Sequence, residues 1–211
     1  MEIESMSTGP IGANTYIVWT KGDESCIVVD PGGSPDIIGE RLDALGLKPE
    51  HIVLTHGHFD HIGGVKKLRD RYGAKVMIHT LEAGMLTSPK ENLSRMFGFE
   101  CIQGPPDELL SDGQTVRSGK TELKVLHTPG HSPGSVCLIG NGAAFTGDTL
   151  FCGSIGRTDF PGGDHGRLLH SIREKLLPLP DTARVYPGHG EATGIGYERT
   201  HNPFLGRWDS P

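Results

Sequence analysis

No part of the chain approaches the roughly 18 consecutive apolar residues that a membrane-crossing helix needs, so no membrane span is expected. Cysteine is scarce. Cys26, Cys101, Cys137 and Cys152 are scattered and form no C-x-x-C pair, which predicts buried thiols and neither a disulfide framework nor a thiolate metal site. There is no run of lysine or arginine, and the formal charge is -6. A phosphate-backbone partner would call for a basic face, so no nucleic-acid partner is expected. The nearest candidate, Lys66 to Arg71, is interrupted by Leu68 and reads as the wet side of a helix. The opening "MEIESMSTGP" is acidic and has no apolar signal core, and a cytoplasmic protein is the resulting expectation.

What the sequence does have is glycine, at 31 residues, and proline, at 15. Such a chain turns often and keeps its helices short. Apolar alternation predicts strands over Asn14–Thr20 and Glu24–Asp30, the second ending in the turn signal "DPGG". Ile37, Ile38, Leu42 and Leu45 space an amphipathic helix over Ser34–Leu45, with Ser34 as its cap and Pro35 at its first position. A strand "HIVLT", a helix from Ile62 and a strand "AKVMIH" follow. Leu81–Pro106 carries little pattern. Strands then resume at Gln114–Ser118, Thr121–His127, Ser135–Ile139 and Ala143–Thr146, with Asn141–Gly142 as a hairpin turn. A helix over His165–Leu176 and a strand over Arg184–Tyr186 complete the second half. Two sheets, each covered outside by helices, would bury all these faces. No linker divides the chain, so residues 1–211 are expected to form one domain.

The chemistry begins at "LTHGHFDHIGG", Leu54 to Gly64. His56, His58, Asp60 and His61 follow a predicted strand. Imidazole and carboxylate together suit zinc or iron, whereas calcium and magnesium favour all-oxygen sets. Alternation in an extended segment would put His56, His58 and Asp60 on one side, with His61 turned alongside Asp60 toward a second ion. Later candidates share the same context at strand ends: His131 in "LHTPGHSPGS", Asp148 in "FTGDTL" and His189 in "VYPGHGEAT". A strand fixes the position of the ligand its loop carries.

These motifs in order, "THGHFDH", "TPGHSPGS", "FTGDTLF" and "YPGHG", resemble the signature of the metallo-β-lactamase superfamily from about Asn14 to Phe204. The resemblance implies an α/β fold of αββα sandwich type with a binuclear site between the sheets. By that resemblance His56, His58 and His131 hold one divalent ion. Asp60, His61 and His189 hold the other, and Asp148 bridges the two. Zinc is the first expectation, and iron and manganese suit the same donors. Two ions about 3.5–4 Å apart can share a hydroxide that attacks a carbonyl. Asp60 is a candidate for orienting that nucleophile. Ser132, beside His131, has no dedicated base and reads as part of the loop structure.

Within the superfamily, "GSIGRTDFPGG" at Gly153–Gly163 and "NPF" at Asn202–Phe204 are similar to the short bacterial glyoxalase II-like branch. This implies hydrolysis of a small-molecule thioester such as S-lactoylglutathione, with Arg157 as a clamp for a substrate carboxylate. The chain departs from that branch in three places. The glutathione-binding helical extension of full-length glyoxalase II is not expected here. Glu191 stands two positions after the last metal histidine, where the family tends to have tyrosine, and Asp159 stands in the Gly-rich loop where another tyrosine is usual. The rival reading is a persulfide dioxygenase of the same fold, which would hold a single iron through His56, His131 and Asp148.

Overall fold

The computed structural model describes residues 1–206. The first sheet runs β1 (Glu2–Thr8), β2 (Ala13–Trp19), β3 (Ser25–Val29), β4 (Lys48–Val53), β5 (Lys75–His79) and β6 (Glu108–Leu110), with spatial order equal to chain order. Its first three strands are antiparallel and the rest parallel. Parallel neighbours need crossovers. α1 (Pro35–Leu45) supplies the first, and α2 (Phe59–Ile62) with α3 (Val65–Tyr72) the second.

The second sheet starts as an antiparallel meander of β7 (Thr115–Ser118), β8 (Thr121–His127), β9 (Val136–Gly140) and β10 (Ala143–Gly147). A small ribbon of β11 (Leu150–Phe151) and β12 (Ser154–Ile155) follows, then α4 (His165–Ser171). β13 (Arg184–Pro187) returns parallel to β10, and β14 (Thr193–Gly194) closes the edge before α5 (Ile195–His201).

Side-chain alternation makes the layers. In β3, Cys26 and Val28 join a cluster with Ile38 and Leu42 of α1 and Val65 and Leu68 of α3. Their neighbours Ile27 and Val29 face the other way and pack with Val125, Leu138 and Phe145 of the second sheet. Beyond that sheet, Cys137 and Val185 meet Leu168 of α4 and Ile195 of α5. The result is helix, sheet, sheet, helix, as the resemblance implied.

Most predicted elements are present. Asn141 and Gly142 both take positive φ, 48° and 76°, as a two-residue hairpin between β9 and β10 requires. The helix at His165 continues past α4 as a π turn over Ile172–Leu176. Several details differ from the sequence reading, beyond the unpredicted β6, β11, β12, β14 and α5. Ser34 precedes α1 with a left-handed backbone and caps it with no side-chain bond; its hydroxyl accepts the Gly9 N–H instead. The segment from His56 does not stay extended, because α2 begins at Phe59 and carries Asp60 and His61 on a helical turn. β1 is an added edge strand whose sequence, EIESMST, has too few buried positions to read as one. Finally, Leu81–Pro106 holds two short 3-10 turns, Thr80–Leu86 and Ser94–Phe97.

The thiols are free, with Cys26, Cys101 and Cys137 buried and Cys152 partly exposed. Among the described residues no helix is long and apolar enough to cross a membrane.

Candidate metal centre

Strand ends converge on one cleft. Asp30 follows β3, and Thr55, His56 and His58 follow β4. His131 lies between β8 and β9, Asp148 just after β10 and His189 just after β13. Strands anchored in a packed core fix where these short loops begin, so loop side chains are placed with strand precision.

Two clusters form. His56, His58 and His131 each offer a donor atom within 4.8 Å of the others, and so do Asp60, His61 and His189. Asp148 stands between them, with Oδ1 3.3 Å from His61 Nε2 and Oδ2 3.7 Å from His131 Nε2 and 3.8 Å from His189 Nε2. All the predicted ligands are therefore brought together. Their hydrogen bonds fix which nitrogen is free. His131 donates Nδ1–H to the Arg157 carbonyl at 2.8 Å, and His61 donates Nδ1–H to Asp30 Oδ2 at 3.0 Å. His131 therefore keeps a lone pair on Nε2, and His61 is left with Nε2 as the nitrogen that can turn to an ion once it loses its proton. Thr55 Oγ1 gives its proton to Asp30 Oδ2 at 2.5 Å and can accept from His56 Nδ1 at 3.2 Å.

The donor set fits divalent ions. His56 Nε2 and Asp148 Oδ1 are buried with no hydrogen-bond partner, and an orphaned buried acceptor is costly unless something outside the protein satisfies it. His58 Nδ1 and His131 Nε2 face each other at 2.9 Å, as do His61 Nε2 and His189 Nε2 at 3.3 Å. A third grouping of Asp30, His56 and His61 also lies within 4.8 Å, but both Asp30 oxygens are already taken by Thr55 and His61.

Electrostatics separate the two clusters. Burial, reinforced by His131, pushes His58 down to about 3, and burial pushes His56 well below its usual range. Both stay neutral. Burial also works against a charged His61, but Asp148 and Asp60 outweigh it and raise that imidazole well above its ordinary value. Asp148 is held ionised despite its burial, chiefly by His61.

Two supporting carboxylates escaped the sequence reading. Asp30, in "DPGG", accepts the Thr55 N–H at 2.7 Å as well as the Thr55 hydroxyl and His61. Glu82 is fully buried and accepts the Gly57 N–H at 3.0 Å and the Gly134 N–H at 2.7 Å. A "D-P" turn and a glutamate in a patternless stretch carry no signal of such distant partners. Ser132 is a loop residue as expected, bonded to Ser135 Oγ at 2.7 Å. The "NPF" motif fastens the Gly-rich loop, with Asn202 Nδ2 donating to the Ser154 carbonyl at 3.0 Å.

The cleft encloses about 350 Å³, walled by Phe59, Leu93, Phe97, Phe151 and Phe160 besides the polar cluster. Arg157 is the one cation lining it among the described residues. Its guanidinium is gripped by both oxygens of Asp159 at 2.7 Å and lies 3.8 Å over the Phe160 ring.

Comparison with known proteins agrees with this geometry. A family model described as the metallo-beta-lactamase superfamily matches residues 8–189. The chain is 41% identical over 208 residues to the probable metallo-hydrolase YqgX of Bacillus subtilis, covering 97% of this chain and 98% of that protein. It is 36% identical over 209 residues to hydroxyacylglutathione hydrolase GloC of Haemophilus influenzae, with the same coverage. Among solved structures, BLEG-1 B3 metallo-beta-lactamase superposes with a TM-score of 0.93 at 42% identity, covering 97% of this chain and all of that one. TTHA1623 in a di-iron-bound form gives 0.85 at 37%, covering 96% of this chain and all of that one.

Proposed function

Because the chain belongs to the metallo-beta-lactamase superfamily, we propose that it is a single-domain, cytoplasmic binuclear metallohydrolase that cleaves a small-molecule thioester such as S-lactoylglutathione. The carrying observation is Asp148, a buried carboxylate poised between two separate donor clusters, with one oxygen unpartnered. In this reading His56, His58 and His131 hold one ion, Asp60, His61 and His189 hold the second, and Asp148 bridges them. Zinc is the first choice, and iron or manganese suits the same donors; the di-iron form of TTHA1623 keeps iron in view.

Two ions held there would lower the pKa of a shared water and polarise a carbonyl. The chain's own residues supply position. Asp30 and the Arg157 carbonyl fix the rings of His61 and His131. Asp60, hydrogen-bonded to His189 at 3.1 Å, orients the attacking water, and the aromatic walls limit competing solvent. Arg157 contacts a substrate carboxylate from within its pairing to Asp159. Among the described residues the cleft offers no general acid apart from the donor clusters themselves. That suits a thiolate leaving group, whose parent thiol has a pKa of about 8.5. The likeness to the Haemophilus hydroxyacylglutathione hydrolase supports the same substrate class.

The rival single-iron persulfide dioxygenase, using His56, His131 and Asp148, would leave the convergence of Asp60, His61 and His189 without a purpose. The deciding experiment measures the metal content of the protein and assays acyl thioesters with and without a glutathione moiety. Thioester cleavage is expected at about two ions per chain. Oxygen consumption with glutathione persulfide and no thioester cleavage overturns the reading.

A further inference from the structure

Beside the metal cleft lies a second cavity of about 560 Å³, formed by Leu81, Met85, Leu93 and Met96 on one side and by Pro133 and Pro161 on the other. Its walls belong to segments that also build the cleft. Pro133 follows His131 by two residues, and Pro161 follows Phe160, whose ring meets that of His58 edge-on at 5.9 Å. Leu93 lines both cavities, so the two spaces share one side chain as their divider.

The divider is held deliberately. Leu93 has a φ of 70°, a left-handed backbone that a leucine adopts only where its surroundings impose it. The residues on either side impose it. Asn92 is fully buried and donates to the Met85 and Cys101 carbonyls, both at 2.8 Å, while its own carbonyl accepts the Phe59 N–H of α2. Ser94, also buried, accepts the Cys101 N–H at 3.0 Å. The segment is thus fastened by polar bonds to the turn that carries Asp60 and His61, with Leu93 buried and apolar side chains of its neighbours left outside. Leu81 is 59% exposed and Met96 67% exposed. Exposed apolar residues grouped beside a reactive cleft mark a surface for ligand.

We infer that this trough is a substrate subsite: it takes an extended apolar chain attached to the scissile thioester, laid across Leu93 with the reacting carbonyl in the metal cleft. This rests on the thioester reading and adds a substrate class to it, acyl thioesters bearing long apolar chains. Charge does not compete with this reading: Lys90, Glu91 and Arg95 stand together at the trough, with Arg95 paired to Glu100 at 3.1 Å, so the surface offered to the chain is the apolar one.

The test uses the metal-loaded, full-length protein and two series of thioesters. One varies the acyl chain from acetyl through butyryl and hexanoyl to octanoyl on a fixed small thiol; the other varies the alkyl thiol on a fixed acetyl group. Each methylene buried in the trough should raise kcat/KM by about fourfold, and the series that shows the rise identifies the arm that enters. Leu81→Lys with Met96→Lys, both at exposed positions, should leave acetyl turnover unchanged and abolish the gain with length. Calorimetric binding of the matching non-cleavable thioethers, ethyl against octyl, reads the subsite without turnover. Affinity that rises with chain length, and loses that rise in the double variant, upholds the trough even if every thioester is inert; that inertness would instead overturn the thioester reading. Affinity and kcat/KM flat with chain length, or a rise that survives the double variant, overturns the trough.

Discussion

The carboxylate of Glu82 accepts the backbone N–H of Gly134 at 2.7 Å through one oxygen and that of Gly57 at 3.0 Å through the other. Gly57 sits between His56 and His58, and Gly134 lies three residues after His131. One buried side chain therefore ties together the two loops that carry the first donor cluster. The Val136 N–H also donates to the Thr55 carbonyl at 2.8 Å, so Glu82 and that backbone bond together set their spacing.

Glu82→Gln leaves one acceptor oxygen and turns an amide toward the other N–H. Stability should fall by about 1–3 kcal/mol, the cost of an unsatisfied buried donor. Metal affinity at the His56, His58 and His131 cluster should weaken about tenfold or more, while the Asp60, His61 and His189 cluster, which Asp30 supports, keeps its ion. Competition with graded chelator, following release of each ion, checks this; equal weakening of both ions would show that Glu82 acts only on the fold at large.

Gly188 sits against the other side of the centre. A Cβ there would overlap Asp148 Oδ1 and approach His61 Cε1 to 2.7 Å. Its φ is not among the positive ones, so alanine is barred by space alone. Gly188→Ala should fold with an unchanged far-ultraviolet circular dichroism spectrum. By displacing Asp148 it should lose about 100-fold in turnover, with reduced metal content measured on the same sample.

The ligands were legible because their residue types are chemically narrow and they cluster where strands end. The supports were not, for a physical reason. Glu82 acts on backbone N–H groups, which every non-proline residue has, so no residue code marks Gly57 or Gly134 as its partners. Asp30 reads as a turn residue because the turn is local and visible, while its bonds reach Thr55 and His61 across a crossover. β1 was invisible because Ile3 and Met6 are only partly buried, and backbone pairing with β2 holds it. The Leu81–Pro106 stretch lacks periodicity since it is built on side-chain bonds from Asn92 and Ser94 rather than on a repeating face.

The chelator-treated protein should lose stability as pH falls below about 6.5, the ordinary histidine value. His58 is depressed to about 3 by burial and by His131, and His56 is depressed by burial. Between those limits the unfolded chain takes up protons that the folded chain refuses, so the contribution of these two histidines is complete above about 6.5 and drains away toward about 3. Thermal melts of chelated protein across this range check the sign. Metal-loaded protein should show a steeper loss, since protonation also competes with the ions. A melting temperature that rises on acidification would contradict it.

His61 predicts the opposite titration. Burial opposes its charge, but Asp148 and Asp60 raise it well above the ordinary histidine value, so at pH 7 the chelated protein carries a proton on both ring nitrogens. The Nδ1 proton is committed to Asp30 at 3.0 Å. The Nε2 proton must leave before that nitrogen can bind an ion. Filling the second cluster at pH 7 should therefore release the His61 proton, whereas His56 and His58 in the first are already neutral and contribute none. Its contribution to the stability of the chelated protein is present below the unfolded value and lost as pH rises through the raised folded one. Calorimetric titration of metal into chelated protein, in two buffers of different ionisation enthalpy, counts that proton. Asp30→Asn removes the charged acceptor behind Nδ1, lowers the His61 value and should reduce the count; an identical heat in both buffers for the wild-type chain would sink the assignment.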